Sequence, residues 1–127
     1  MDQINYYASQ LAYEMDAAEL RGLLPADQHL ALIDARHPEA YTLAHLPGAI
    51  SLPARQLTPL SVGHLERERL YICYGDGAGC QAAQRAALKL VQLGYTVKTL
   101  AGGMDWWQRQ GYPLEGLIAE PRLAMAH

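Results

Sequence analysis

Between Arg69 and Gly94 the chain reads RLYICYGDGAGCQAAQRAALKLVQLG, and no other stretch restricts the fold as much. Leu70, Tyr71 and Ile72 are apolar and β-prone and lead to Cys73. Glycines follow at 75, 77 and 79, and after Cys80 comes an alanine-rich segment of helical spacing that Gly94 closes. A strand, a glycine loop and a helix N-terminus together aim several backbone N–H groups at one point. Here that point lies close to a thiol. The partial positive charge of the helix end favours the thiolate, the nucleophilic form of cysteine. The same residues also suit a plain buried cysteine beside a βα turn, because free cysteine is among the most buried residue types.

Elsewhere strands and helices alternate. Residues 2–14 carry tyrosines and an apolar patch at Leu11, Ala12 and Tyr13, an arm leading to an edge strand. Asp16-Ala-Ala-Glu19 matches a capping box, in which Asp16 accepts from first-turn amides while Glu19 reaches back. Leu20, Leu23 and Leu24 continue at helical spacing, and Pro25 marks the stop. HLALIDAR (29–36) is a continuous apolar run ending in charge, as expected of a buried parallel strand with polar groups at its carboxyl end. Pro38 opens a short helix over 38–44. Pro47-Gly48 signals a turn, and Ala49–Leu52 a short strand. Residues 54–68, interrupted by Pro59 and Gly63, have room for one or two helical turns.

A strand over 69–73 and a helix from about 80 to 93 follow. On that helix Ala83, Ala87, Leu90 and Gly94 share one face, and Gln81, Arg85, Lys89 and Gln92 another. TVKTL (96–100) is a strand, Gly102-Gly103 a turn, and Met104–Gln110 a helix with Gly111 at its end. Tyr112–His127 has two prolines and no period, which fits a clasp over the domain or a disordered tail. The alternation predicts an α/β domain with a mostly parallel sheet. Ligands of such sheets sit at the carboxyl ends of strands, and Cys73 is placed at one of them.

Composition narrows the function classes. A chain of 127 residues predicts one domain, with its core over about 11–115 and the N-terminal arm and C-terminal tail peripheral. A net charge of −3 supplies no basic field for nucleic acid or an anionic membrane. No apolar run is long enough to span a bilayer, and MDQINYYASQ lacks a signal pattern. Two cysteines in one loop do not make a secreted disulfide framework. The expected compartment is the cytoplasm.

Three segments resemble the rhodanese-like domain family. LIDARHPEAYTLAHLPGAISLP (32–53) is similar to the family's Asp-x-Arg strand end followed by His-hydrophobic-Pro-Gly-Ala. YICYGDGAGC with AAQRAALKLVQLGY resembles its active-site strand, loop and helix, and LAGGMDWWQRQGYPLE (100–115) resembles its closing Gly-Gly-x-x-x-Trp segment. They occur in the family's order and cover most of residues 29–115. The resemblance implies a single rhodanese-like domain with helices on both faces of the sheet, acting as a sulfurtransferase through Cys73. The thiolate takes sulfane sulfur from a donor such as thiosulfate, becomes a persulfide and passes the sulfur to a thiophilic acceptor. Tyr74, Gly75, Asp76, Gly77, Ala78, Gly79 and Cys80 would form the cradle. Implied partners are a small sulfur donor or acceptor, or a sulfur-carrier protein, with neither nucleic acid nor membrane, and with the chain a monomer or homodimer. No cofactor or metal is implied.

The loop departs from the family's usual Cys-x-x-Gly-x-Arg-Ser. After Cys73 it is longer, lacks a cation and contains Asp76, so an anionic donor meets a carboxylate in place of a guanidinium. Arg85 either points to the mouth or lies on a solvated helix face. Asp34 and Arg36 read as a structural pair pinning neighbouring turns, and His45 as a hydrogen-bonding turn residue in preference to a general base. His29, His37 and His64 show no metal-ligand spacing. Of Trp106 and Trp107, one is expected in the core and one partly exposed. Cys80 is either a small residue at the helix start or a resolving thiol for Cys73. Two further functions therefore stand beside sulfur transfer: a low-turnover sulfur-relay or regulatory binding module, and a Cys73/Cys80 dithiol switch.

Overall fold

The computed structural model describes residues 2–24 and 26–118. The helix stop expected at Pro25 and the tail beyond 118 lie outside the described residues. In chain order the elements are α1 (Gln3–Tyr13), β1 (Glu14–Met15), α2 (Ala17–Leu23), β2 (Leu30–Asp34), α3 (Pro38–Leu43), β3 (Ile50–Ser51), a 3-10 turn (Ala54–Gln56), β4 (Leu70–Tyr74), α4 (Ala82–Gln92), β5 (Thr96–Leu100) and α5 (Gly103–Arg109). The five strands form one sheet in the order β1-β5-β4-β2-β3, and every pairing is parallel. Among the described residues no helix is long and apolar enough to cross a membrane.

The central strands are apolar runs because both of their faces are covered. Ile33 pairs with Cys73 and Cys73 with Thr99, while Asp34 pairs with Tyr74. Alternation then sorts the side chains. Leu32, Ile72 and Tyr74 pack on one face with Leu20 of α2 and Met104 and Trp107 of α5. Ile33, Tyr71 and Cys73 pack on the other face with Ala83, Ala86 and Leu90 of α4. Alanine at 83 and 86 lets α4 approach the sheet closely. Its buried stripe is therefore Ala83, Ala86 and Leu90, not the stripe through Ala87 and Gly94 that the spacing suggested.

Local rules account for most boundaries. Asp16 accepts from the Glu19 amide at 2.7 Å, the first half of the capping box. Pro38 sits in the first turn of α3 after an extended His37. The N-terminal arm is itself helical, with Asp2 accepting from the Asn5 amide at 2.8 Å, and it leads into β1 at the sheet edge. α4 begins later than expected. Gly79 adopts φ +86°, and the Cys80 amide closes a turn on the Gly77 carbonyl at 3.0 Å. Gln81 then flanks the first helical residue, so Cys80 precedes the helix instead of starting it. Residues 114–118 act as a clasp. Glu115 and His45 exchange two backbone bonds of 2.8 Å, and Leu117 and Ile118 donate to the carbonyls of Thr42 and Leu43.

Candidate functional site

The loop over 75–80 follows β4 at the carboxyl edge of the sheet, and α5 holds it down. The Met104 amide donates to the Gly75 carbonyl at 2.9 Å and the Asp105 amide to the Asp76 carbonyl at 2.7 Å. This contact requires glycine at 103, where φ is +55° and an added Cβ would stand 2.5 Å from the Gly75 oxygen. Two carbonyls turned toward α5 leave the amides of Asp76 and Gly77 facing the opposite way, because each peptide is planar and trans.

Cys73 is not at the mouth of this loop. It is fully buried on the α4 side of the sheet, and burial pushes its thiol up from 9.0 to about 12. At neutral pH it is a protonated core thiol. Strand alternation is the reason Cys73 faces α4. Tyr74, the next residue, points to the opposite face, and the first loop residue on the Cys73 side is Gly75, which has no side chain. A Cβ added at Gly75 would lie 3.1 Å from the Sγ of Cys80. The sulfur that reaches the loop is thus that of Cys80, which is partly exposed, and both cysteines are free thiols.

Cys80 lines a cleft of about 580 Å³ together with Arg36, His37, Arg55, Asp76 and Arg85. The three arginines come from different segments: the end of β2, the 3-10 turn after β3, and the first turns of α4. Arg36 is committed. Its Nη2 donates to Asp34 Oδ2 at 2.7 Å and to the Ala44 carbonyl at 2.6 Å, and its Nε donates to Asp34 Oδ1 at 3.0 Å. Asp76 Oδ1 stands 3.8 Å from Arg36 Nη1. Arg85 donates to Gln81 Oε1 at 3.1 Å along the cleft wall. Among the described residues neither Arg55 nor Arg85 pairs with a carboxylate. Arg55 was missed because nothing in its local sequence marks it; only the meeting of the carboxyl ends of β2, β3 and β4 brings it to the loop. A second, smaller cavity of about 210 Å³ lies across the loop, lined by Glu14, Gly75, Gly77, Cys80, Gln84 and Thr99 among others.

The remaining sequence candidates divide by role. Asp34 is fully buried and accepts from Arg36 and from the Tyr74 hydroxyl at 2.9 Å. The same hydroxyl accepts from the Leu46 amide at 3.1 Å. Burial raises the Tyr74 phenol pKa further still. Tyr74 therefore belongs to the buried framework and not to the cradle, which corrects its assignment as a substrate-binding residue. Asp34 and Arg36 form the structural pair expected of them. His45 stacks on Tyr41 at 3.8 Å, with Nδ1 2.7 Å from the Tyr41 carbonyl and Nε2 3.7 Å from Glu115 Oε1, and it lines neither cavity. Gly75, Gly77, Ala78, Gly79 and Cys80 line the smaller cavity, and Asp76, Gly79 and Cys80 the larger. Trp107 is fully buried and Trp106 is half exposed.

These features define an α/β domain that presents a thiol among arginines at the carboxyl edge of a parallel sheet. The family model for the rhodanese-like domain matches residues 16–110, and the chain belongs to that family. It is 34% identical over 86 residues to an HTH-type transcriptional regulator of Mycobacterium tuberculosis, a match covering 68% of this chain but 38% of that protein. The chain thus spans well under half the length of that curated relative. It is 29% identical over 97 residues to the thiosulfate sulfurtransferase GlpE of Pseudomonas fluorescens, covering 75% of this chain and 84% of that one. A crystal structure of a Bacillus halodurans protein superposes with a TM-score of 0.86 at 33% identity, over 92% of this chain and 86% of that chain.

Proposed function

We propose that this chain is a sulfur-handling rhodanese-like domain whose working thiol is Cys80, not Cys73. One observation carries the reading: Cys80 is the cysteine that lines the cleft with Arg36, Arg55 and Arg85. A thiolate near cations is the arrangement that favours nucleophilic sulfur. In the first step the Cys80 thiolate attacks the sulfane sulfur of an anionic donor such as thiosulfate. The Sγ–S bond forms as the S–S bond of the donor breaks, and sulfite leaves with the electron pair. Arg55 and Arg85 would hold the oxyanion, and loop amides would face the persulfide. A thiophilic acceptor then removes the outer sulfur and regenerates Cys80. Partners on this reading are a small donor and acceptor or a sulfur-carrier protein.

A second reading, a binding module with little turnover, is favoured by Gly75. The residue whose side chain would project from the strand end into the cradle has none. On that reading the arginine-lined cleft recognises an anion or a partner without covalent chemistry. Intact-mass analysis after incubation with thiosulfate, or with a neutral persulfide donor, separates the two. Sulfur transfer requires a gain of one sulfur that Cys80→Ser abolishes and Cys73→Ala retains. A persulfide that survives Cys80→Ser and is lost in Cys73→Ala overturns the assignment of Cys80. No persulfide with any donor leaves the binding module.

A further inference from the structure

The first helix turns its aliphatic side to solvent. Ile4, Tyr7 and Leu11 recur at i, i+3 and i+7 and so share one face of α1. Ile4 and Leu11 are 81% and 82% exposed, and Tyr7 is exposed as well. None of the residues of α1 is buried. A helix of about eleven residues is marginal in water, and in proteins it draws its stability from packing an apolar face. Among the described residues this stripe has nothing to pack on. Tyr6, Gln10 and Tyr13 lie on the opposite face of α1 and border a groove of about 690 Å³ between α1 and α4. Val97 and Thr99 of β5 form its floor, and Leu88 and Val91 form its α4 wall. Both wall residues are more than half exposed.

We propose that two copies of this chain pair about a two-fold axis, each seating the stripe of its α1 in the groove of the other. The chain carries both halves of a helix-in-groove contact side by side, and in a two-fold interface one patch serves both subunits. A stable interface takes about 800 Å² from each partner. Five large apolar side chains on α1 and two on α4 are each at least 47% exposed, and together they offer area on that scale. Little charge is trapped. Glu14 and Lys98 are the charged residues lining the groove, they are of opposite sign, and α1 itself carries none from Gln3 to Tyr13. A helix built for a lipid surface carries Lys or Arg on its polar face; α1 has neither, and the net charge is −3. Ile118, the last described residue, is held by Leu43 in the segment joining β2 to β3, at the other edge of the sheet from β1. Glu14, Gln84 and Thr99 line both the groove and the smaller cavity beside the loop. A seated helix would therefore cover that cavity and leave the arginine cleft as the open approach. The pairing does not depend on which thiol carries sulfur.

Sedimentation velocity of the full chain, from low-micromolar to near-millimolar concentration, measures the pairing, and a dimer is the expected result. Leu11→Glu puts a charge in the seated stripe, and Leu88→Glu puts one in the wall that receives it. Each should weaken the dimer about tenfold or more. Both side chains are largely exposed in the single chain, so both variants should keep the fold, which circular dichroism and melting confirm. Leu60→Glu, at a residue 92% exposed and outside the groove, should dimerise as the unmodified protein does. Amide exchange gives a second reading. Protection of α1 should rise with concentration, and Leu88→Glu, a change on α4, should abolish the rise. A monomer at every concentration, or a dimer that either substitution leaves intact, overturns the interface. A monomer that floats with phosphatidylcholine vesicles overturns it in favour of a lipid surface. A monomer whose α1 amides are already protected overturns it in favour of the chain's own residues 119–127.

Discussion

Replacing Cys73 with alanine isolates the energetic signature of a core thiol. Burial pushes the Cys73 thiol from 9.0 up to about 12 in the folded protein, and unfolding releases it to water. Between those values the unfolded chain gives up a proton that the folded chain keeps. The unfolded state then binds fewer protons, so stability falls as pH rises. The contribution is intact below about pH 9 and is lost progressively toward pH 12. Each pH unit in that window costs about 1.4 kcal/mol, against a total of about 5–15 kcal/mol for an ordinary domain. The alanine variant should be less stable at pH 7 by about 1–2 kcal/mol, because a small cavity replaces the sulfur. Its stability should then fall less steeply with pH. The two proteins should converge between pH 9 and pH 10.5, and alanine should become the more stable above that. Urea denaturation under reducing conditions at pH 7, 9, 10 and 11 measures the difference directly. Burial also raises the phenols of Tyr71 and Tyr74, but these are common to both proteins and cancel. Parallel stability curves would show that Cys73 meets solvent in the folded state, and the argument for Cys80 would lose its basis.

Tyr74→Phe removes the 2.9 Å bond to Asp34 and leaves the Leu46 amide without its acceptor; about 2–3 kcal/mol of stability should be lost in denaturant titrations, and a loss below about 0.5 kcal/mol would contradict the anchoring role. Gly103→Ala places a Cβ 2.5 Å from the Gly75 oxygen, at a positive φ, so it should destabilise the domain by about 2–4 kcal/mol and slow persulfide loading through displacement of the loop. Asp76→Asn removes a carboxylate that stands in the cleft 3.8 Å from Arg36 with a side chain 73% exposed. Loading by thiosulfate should rise about two- to fivefold at low salt, with the gain shrinking as salt is added; an unchanged low-salt rate would show that Asp76 does not reach the donor.

The core elements were readable because each carries its own local signal. LALID and TVKTL are apolar or β-branched runs bounded by breakers, and they are β2 and β5. Asp16 and Pro38 mark the starts of α2 and α3 by capping and by φ. The N-terminal helix was not read: Ile4, Tyr7 and Leu11 recur at helical spacing, but the segment reads as an arm, and the helix buries none of its residues. The start of α4 was misjudged because alanine and glutamine tolerate a helix on either side of Cys80. A positive φ at Gly79 and the turn from Cys80 to Gly77 set the boundary, and neither is encoded in a hydrophobic period. The direction of the Cys73 side chain was unreadable for a related reason. An apolar strand buried on both faces has no alternation to show which way each side chain points, so its sequence cannot reveal whether the terminal thiol faces the loop or the core.

The arginines expose the limit of reading a site along one loop. The segment from 74 to 80 contains no cation, which on its own argues against an anionic donor. In a parallel sheet, however, every connection returns to the same edge, so the carboxyl ends of β2, β3 and β4 converge although they lie far apart in sequence. Arg36 arrives at that edge already neutralised by a buried carboxylate. Its bidentate hold on Asp34, and the single hydroxyl bond of Tyr74 to the same carboxylate, fix the floor of the cleft more than they attract a ligand. Among the described residues Arg55 and Arg85 have no such partner and carry the cleft's unspent charge. On the proposed reading, the charge that one loop arginine would supply is divided between the 3-10 turn after an edge strand and the start of α4. That division is visible only after the sheet has been assembled.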